Sequence, residues 1–266
     1  MTERRYHRDV VAAAAIGLGA QGFIIGVLMS ILPSAGTAGL VGSTAIAASI
    51  GGWIARSVMP DLELGETAIA TAASLGVMVG LERIQQAGTT FDLEVSLLPL
   101  LAAMVGSVAG VWVAGRFATR RWPSLAVGLG SFGVSFVAVA ISIAATWSDG
   151  GRGAMLSIGF VVGIAAMLHL VPELKTRHAI IGPALVMGGL GVVAALDGDA
   201  GWGQRVESAA GGLMIGALVG AAVGLIGWIV AWPLLHVRDR ARRAAPIPVA
   251  YARPTDDDPD RGGADR

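Results

Sequence analysis

Long apolar runs separated by short polar segments dominate this chain. Eight stretches approach or exceed the roughly 20 apolar residues that cross about 30 Å of hydrocarbon as a helix. They lie at residues 10–32, 38–58, 66–82, 95–115, 123–147, 154–171, 178–196 and 207–235. The third is the shortest, because Glu66 and Glu82 enclose only 15 residues. The pattern predicts an all-α, polytopic transmembrane bundle of about eight spans.

Composition supports this reading over a soluble one. The chain is 54% hydrophobic and 14% charged, whereas soluble domains are about 25% charged. There is no cysteine, and the four histidines are scattered, so we expect no metal site and no cofactor. We expect the lipid bilayer as a partner, and no nucleic acid.

The distribution of Lys and Arg predicts the orientation of the spans, because cytoplasmic loops carry the excess of positive charge. With both termini in the cytoplasm, 16 of the 19 basic residues lie inside, and only Arg83, Arg152 and Arg205 lie outside. We therefore predict a multi-pass plasma-membrane protein with cytoplasmic N- and C-termini. The Arg-, Asp- and Gly-rich tails suggest a bacterial inner membrane.

The two ends of the chain need separate interpretation. The first apolar run exceeds the 7–15 residues of a signal-peptide core, so we read it as a span. The small residues at 35–38 leave cleavage there as an alternative. Residues 246–266 are rich in Pro, Asp and Arg and are predicted to form a disordered cytoplasmic tail.

Three short segments recur along the chain in the same order. GLGAQG at 17–22 returns as GLGSFG at 128–133, MPDL at 59–62 as VPEL at 171–174, and VGSVAG at 105–110 as VGAAVG at 219–224. Together they predict an internal duplication, with one four-helix repeat at 1–121 and another at 122–245. Four spans return the chain to the same side, so the repeats would be parallel. The alternative is that glycine-rich spans resemble one another because glycine packs membrane helices.

The first recurring segment also matches the dinucleotide fingerprint G-x-G-x-x-G. That site needs a strand before it, a helix start at its last glycine and an acidic residue about 20 positions later. Residues 36–45 contain no Asp or Glu, and the apolar run simply continues. We interpret the glycines as helix-contact residues.

Polar side chains inside spans are costly and are functional candidates. The candidates for lining a cavity are Gln21, Ser43, Thr44, Thr71 and Ser74. The alternative is that they bond to a neighbouring helix or back to their own. In the motif alignment Gln21 is matched by Phe132, so this polarity belongs to one repeat only.

Two cytoplasmic turns occupy equivalent places in the two repeats, between spans 2 and 3 and between spans 6 and 7. The first carries Arg56, Glu63 and Glu66, and the second carries His169, Lys175 and Arg177. Their opposite charge predicts that they pair across the axis between the repeats. The alternative is ordinary solvated loop charge.

The last span of each repeat carries small residues at a spacing of four, which places them on one helix face. They include Gly106 and Gly110 in span 4, and Gly212, Gly216, Gly220 and Gly224 in span 8. Such faces let helices approach closely in lipid. They would pack within the monomer or form the seam of a homodimer.

Two functions fit these features. The first is a small-solute permease or channel with a cavity between two parallel four-helix halves. The alternative is a non-transporting anchor or scaffold subunit that packs against a membrane-complex partner. We expect no enzyme, because no span carries side chains at catalytic spacing.

Overall fold

The computed structural model describes residues 3–31, 36–85, 93–117, 122–145, 149–171, 173–196 and 202–244. These residues form eight helices and no strand. They are α1 (Glu3–Ile31), α2 (Gly36–Val58), α3 (Leu64–Gln85), α4 (Leu93–Phe117), α5 (Pro123–Ala144), α6 (Asp149–Leu170), α7 (Thr176–Leu196) and α8 (Trp202–Ala244).

Each predicted span coincides with one helix, so the all-α prediction is confirmed. Within the described residues, seven helices are long and apolar enough to cross a membrane, and the eighth contributes the shorter apolar stretch Leu64–Val77 of α3. The chain is therefore an apolar helical bundle consistent with a multi-pass integral membrane protein. The last helix extends well past the predicted 207–235. It has 43 residues and is therefore about 64 Å long at 1.5 Å per residue.

The helices pack as two groups of four joined through α1 and α5. In the first half (α1–α4), α1 packs against α2 and α3, and α4 packs against the same two helices. In the second half (α5–α8), α5 packs against α6 and α7, and α8 packs against those two. Helices α1 and α5 pack directly on each other, so they form the centre of the bundle.

Glycines bring α1 and α5 into backbone contact. A Cβ atom at Gly19 would overlap the carbonyl oxygen of Leu129, and one at Gly133 would overlap that of Ala15. The two contacts are reciprocal, because each glycine faces the carbonyl four residues before the other. The fingerprint segments are thus helical, and their glycines lie where helices meet.

The glycine faces of α4 and α8 both pack against other helices of the same chain, α4 against α2 and α8 against α7. Gly106 and Gly110 lie against the carbonyl groups of Ala45 and Ser49 on α2. On α8 the four glycines of the predicted stripe face the backbone of α7, in the pairs Gly212 with Gly191, Gly216 with Met187, Gly220 with Pro183, and Gly224 with Ala179. Both helices also expose many apolar side chains, among them Leu101, Val105, Leu218 and Ile229.

Candidate functional site

Gln21 lies at the contact between α1 and α3. Gly17, one turn earlier on α1, allows the close approach, since a Cβ there would lie 2.8 Å from the Cα of Thr71. Gln21 is fully buried, and its Nε2 donates a hydrogen bond to the carbonyl oxygen of Thr71 at 2.9 Å. The side chain therefore bonds to a neighbouring helix, the second of the two interpretations that its sequence position allowed.

The hydroxyls of Thr71 and Ser74 donate their hydrogen bonds mainly to carbonyl groups of their own helix, α3. Ser74 Oγ lies 2.6 Å from the Thr71 carbonyl oxygen and 3.4 Å from Gln21 Oε1. A hydroxyl has one proton, so the shorter contact takes it. Thr71 Oγ1 donates to the carbonyl of Thr67 at 2.9 Å. Gln21 is consequently left with one amide N–H and most of the accepting capacity of Oε1.

Two other hydroxyls in this half have no hydrogen-bond partner. Thr44 on α2 and Ser107 on α4 are both fully buried, and Thr44 Oγ1 and Ser107 Oγ are unpartnered. Ser43, beside Thr44, instead donates to the carbonyl of Leu40 at 3.0 Å. Buried polar atoms are nearly always bonded in folded proteins, so the two unpartnered hydroxyls require an explanation.

The sequence prediction did not include Ser107. The signal was available, because Ser107 is a hydroxyl at the centre of span 4, beside Gly106 of the small-residue stripe. Its burial against α2, where a Cβ at Gly52 would lie 2.8 Å from its carbonyl oxygen, became visible only in the packed bundle.

Helix register places Gln21, Thr44 and Ser107 within about 7 Å of one another along the bundle axis. Ala45 faces Gly106 and Ser49 faces Gly110, so α2 and α4 run parallel, and Thr44 and Ser107 lie within about 3 Å of one level. Gly51 packs between Gly17 and Ala20 of α1, which puts Gln21 within about 7 Å of that level. Ala48, Leu75 and Ala103 form a small apolar cluster there.

We call this set the polar layer; its members are Gln21, Thr44, Thr71, Ser74 and Ser107. All five are at most 4% exposed. Residues 10–55, 67–81 and 95–115, which carry the layer, contain no Asp, Glu, Lys, Arg or His. The layer therefore offers uncharged donors and acceptors only.

Phe132, which the motif alignment matches to Gln21, lies among aromatic rings. Phe132 of α5 contacts Phe23 of α1 edge-on at 6.3 Å between ring centroids and Phe136 at 4.9 Å. It also contacts Phe160 of α6 at 6.3 Å. These four rings, the aromatic cluster, pack beside the Gly19–Gly133 contact. A cavity between the two halves was predicted, and at Gly19 and Gly133 the two central helices touch directly.

The α2–α3 turn and the α6–α7 turn have the same backbone hydrogen bonds. Each helix before the turn is extended by one bond, and each turn is then closed by a bond between residues three apart. In the first turn the amide of Met59 donates to the carbonyl of Ala55 (2.9 Å), and that of Leu62 to the carbonyl of Met59 (3.3 Å). In the second turn, 112 positions later, the amide of Val171 donates to the carbonyl of Met167 (2.9 Å), and that of Leu174 to the carbonyl of Val171 (3.2 Å).

The helices that follow these turns are also capped alike. The amide of Glu63 donates to Glu66 Oε2 at 3.1 Å, and the amide of Lys175 donates to His178 Nδ1 at 3.0 Å. In each case the third helical residue bonds the amide of the residue before the helix, as in a capping box. The acceptor is a carboxylate in the first half and an imidazole in the second.

The predicted pairing of charges across the turns is not formed. Among the described residues, no ion pair joins Glu63 or Glu66 to Lys175 or Arg177. Glu66 is used in its own cap, and Arg177 Nε lies 3.3 Å from His178 Nε2. The physical reason is that a helix start presents unpaired amides, and these are nearer to the side chains than the other turn is.

The other two residues of that prediction are Arg56 and His169. Arg56 is half-buried, and its Nη1 has no partner. The carbonyl of His169 accepts a hydrogen bond from Arg8 Nη2 at 3.1 Å. A guanidinium near the last carbonyls of α6 is favourable because the C-terminal end of a helix is negative.

No family model, curated protein or solved structure matches the chain. Within the described residues, no group of three or more His, Asp or Glu side chains is arranged to hold a metal ion. The assignment of function therefore depends on the packing and chemistry of the bundle.

Proposed function

We propose that this protein is a small-solute permease or channel of the bacterial plasma membrane. The observation that carries the proposal is the polar layer, with two fully buried hydroxyls that have no partner. Polar groups within a membrane helix are costly and are retained chiefly where they serve a function. On this proposal the protein binds a solute and is not an enzyme.

We further infer that the two halves arose by duplication and are related by an axis along the membrane normal. Two independent features support this. Four helix pairs of the first half have counterparts in the second half. They are α1–α2 with α5–α6, α1–α3 with α5–α7, α2–α4 with α6–α8, and α3–α4 with α7–α8. Among the described residues, the contact between α2 and α3 has no comparable counterpart. The hydrogen bonds of the two turns repeat at a constant separation of 112 residues.

Transport is tested with purified protein in liposomes. Light scattering after an osmotic step reports how fast glycerol, urea or acetamide enters. We expect at least one of these solutes to enter faster than in protein-free liposomes prepared in parallel. Equal rates for every small solute, charged or neutral, would overturn the proposal.

The scaffold function is the second candidate, and one observation favours it. The halves touch through backbone at Gly19 and Gly133, which leaves no passage between α1 and α5 at that level. A scaffold would need a partner, as a second copy of this chain or another membrane protein, and would show no solute flux in the same liposomes.

The proposed orientation is tested by labelling, which is convenient because the chain has no cysteine. Cysteine placed at Thr2 or Gly262 should react with a membrane-impermeant maleimide only after the membrane is opened. Cysteine at Gly88, in a predicted outer loop, should react in intact cells. The reverse pattern would contradict cytoplasmic termini.

A further inference from the structure

We propose that the polar layer binds a small uncharged solute with both hydrogen-bond donors and acceptors, such as a polyol or an amide. The solute path would then run within the first half rather than between the halves. The inference rests on the proposed transport function and names its site and its substrate class.

The unused hydrogen-bonding capacity of the layer defines the ligand chemistry. The Thr44 and Ser107 hydroxyls are unpartnered, and each both donates and accepts. Gln21 adds one amide N–H and an oxygen whose single contact, from Ser74, is 3.4 Å long. These groups come from α1, α2 and α4, so a molecule held among them would be bonded from several sides.

The absence of charge in the supporting segments selects against ions. Residues 10–55, 67–81 and 95–115 carry no ionisable side chain, so a bound ion would have no counter-charge at this depth. A charge in a low-dielectric interior is stable only when it is paired. An uncharged molecule needs only the hydrogen bonds that the layer offers.

Comparison of α3 with α7 shows that packing alone does not require the hydroxyl side chains of α3. The shared turns fix the relation between α3 and α7 at 112 residues. Thr67, Thr71 and Ser74 of α3 then correspond to Ala179, Pro183 and Val186 of α7, which are also buried. An apolar sequence therefore fills the same place in the second half, whereas the first half retains hydroxyls.

The closed state of the layer distinguishes a permease from an open channel. All five side chains are at most 4% exposed, so a solute reaches them only when helices of the first half separate. Helix α4 faces lipid on its other side, with Leu101 and Val105 exposed. Binding within a closed layer fits a carrier that opens alternately to the two sides.

The experiment removes the two unpartnered hydroxyls while preserving shape, with the double variant Thr44→Val and Ser107→Ala. The matched control is Ser131→Ala with Ser135→Ala in α5, whose buried hydroxyls bond to the carbonyls of Val127 and Ser131. Entry of glycerol, urea and acetamide is measured in liposomes containing equal amounts of folded protein, verified by size exclusion and thermal unfolding.

We expect the layer variant to lose about tenfold or more of the solute flux, the factor for roughly one lost hydrogen bond in binding. The control should retain the wild-type rate. The layer variant should unfold at the same temperature as the wild type or higher, because a buried hydroxyl without a partner is removed.

Three outcomes separate this inference from the proposed function. If the wild type carries solute and the layer variant carries it equally fast, the site is elsewhere and the transport function stands. If both variants slow transport to the same degree, the loss is not specific to the layer and the inference is overturned. If the wild type carries no solute, the transport function itself fails.

Discussion

The two halves of this bundle have matching helix contacts but different interiors. In the first half, Gln21 bonds across to α3, and Thr44 and Ser107 remain unpartnered. In the second half, Phe132 packs among other aromatic rings. The difference indicates that the turn geometry and the pattern of helix pairs, which the halves largely share, do not fix the chemistry of the interior. The polarity of the interior is then free to serve another purpose.

The largest expected effect concerns the contact that joins the halves. Gly19→Leu inserts a side chain where a single Cβ atom would already overlap the carbonyl of Leu129. We expect loss of more than about 3 kcal/mol of unfolding free energy, because overpacking a tight contact forces the backbones apart. Size exclusion and thermal unfolding in detergent measure it.

The control for that substitution is Gly26→Leu on the same helix, where nothing lies within 4 Å of an added Cβ. It should leave stability nearly unchanged. Equal tolerance of both substitutions would mean that α1 and α5 do not pack through these glycines, and the comparison of two joined halves would fail.

Removal of the central ring of the aromatic cluster tests the interior of the second half. Phe132→Ala should cost about 3–5 kcal/mol, the usual range for deleting a buried phenylalanine, and Phe132 is 5% exposed. Denaturant titration in detergent gives the value. A loss below about 1 kcal/mol would show that this cluster is not a packing core.

The corresponding change in the first half should cost much less. Gln21→Leu removes the 2.9 Å bond to Thr71, and hydrogen bonds between membrane helices average about 0.6 kcal/mol, with a maximum near 1.7. The same titration measures it. A cost as large as that of Phe132→Ala would mean that Gln21 serves stability first, which would remove the contrast between the halves.

The smallest expected effects concern the helix caps. Glu66→Ala and His178→Ala each leave one helix-start amide unpaired, at a cost of about 1 kcal/mol. The Glu66→Ala substitution should lower the unfolding free energy more than His178→Ala, because the negative charge of Glu66 also interacts favourably with the helix N-terminus. Thermal unfolding of the two variants measures both losses of stability. A larger loss of stability for His178→Ala than for Glu66→Ala would contradict the interpretation that the two side chains cap their helices in the same way.

Much of the architecture could be predicted from the linear pattern. Apolar runs identify all eight helices because lipid forces the backbone to bond within each segment. Helix ends were less predictable. The last helix continues through Pro233 to Ala244, beyond the 207–235 span that the apolar pattern marked.

The candidate site was predictable only in part. Gln21, Thr44, Thr71 and Ser74 were identified because polar residues stand out in apolar spans. Ser107 was missed, and among the described residues Glu66 and Arg177 bond locally instead of pairing across the two turns. Capping bonds span three residues along the chain, so they form wherever a helix begins, whereas pairing across turns depends on distances that the sequence does not contain.

The sequence by itself determined the helices, the apolar surface and the recurrence of GLGAQG as GLGSFG. Only the tertiary structure decided that Gly19 and Gly133 bring α1 and α5 into contact, and that four helices of the first half bury five polar side chains among them. The reason is physical. Helix formation and lipid exposure depend on local composition, whereas helix register and the partners of buried hydroxyls depend on which backbones approach closely.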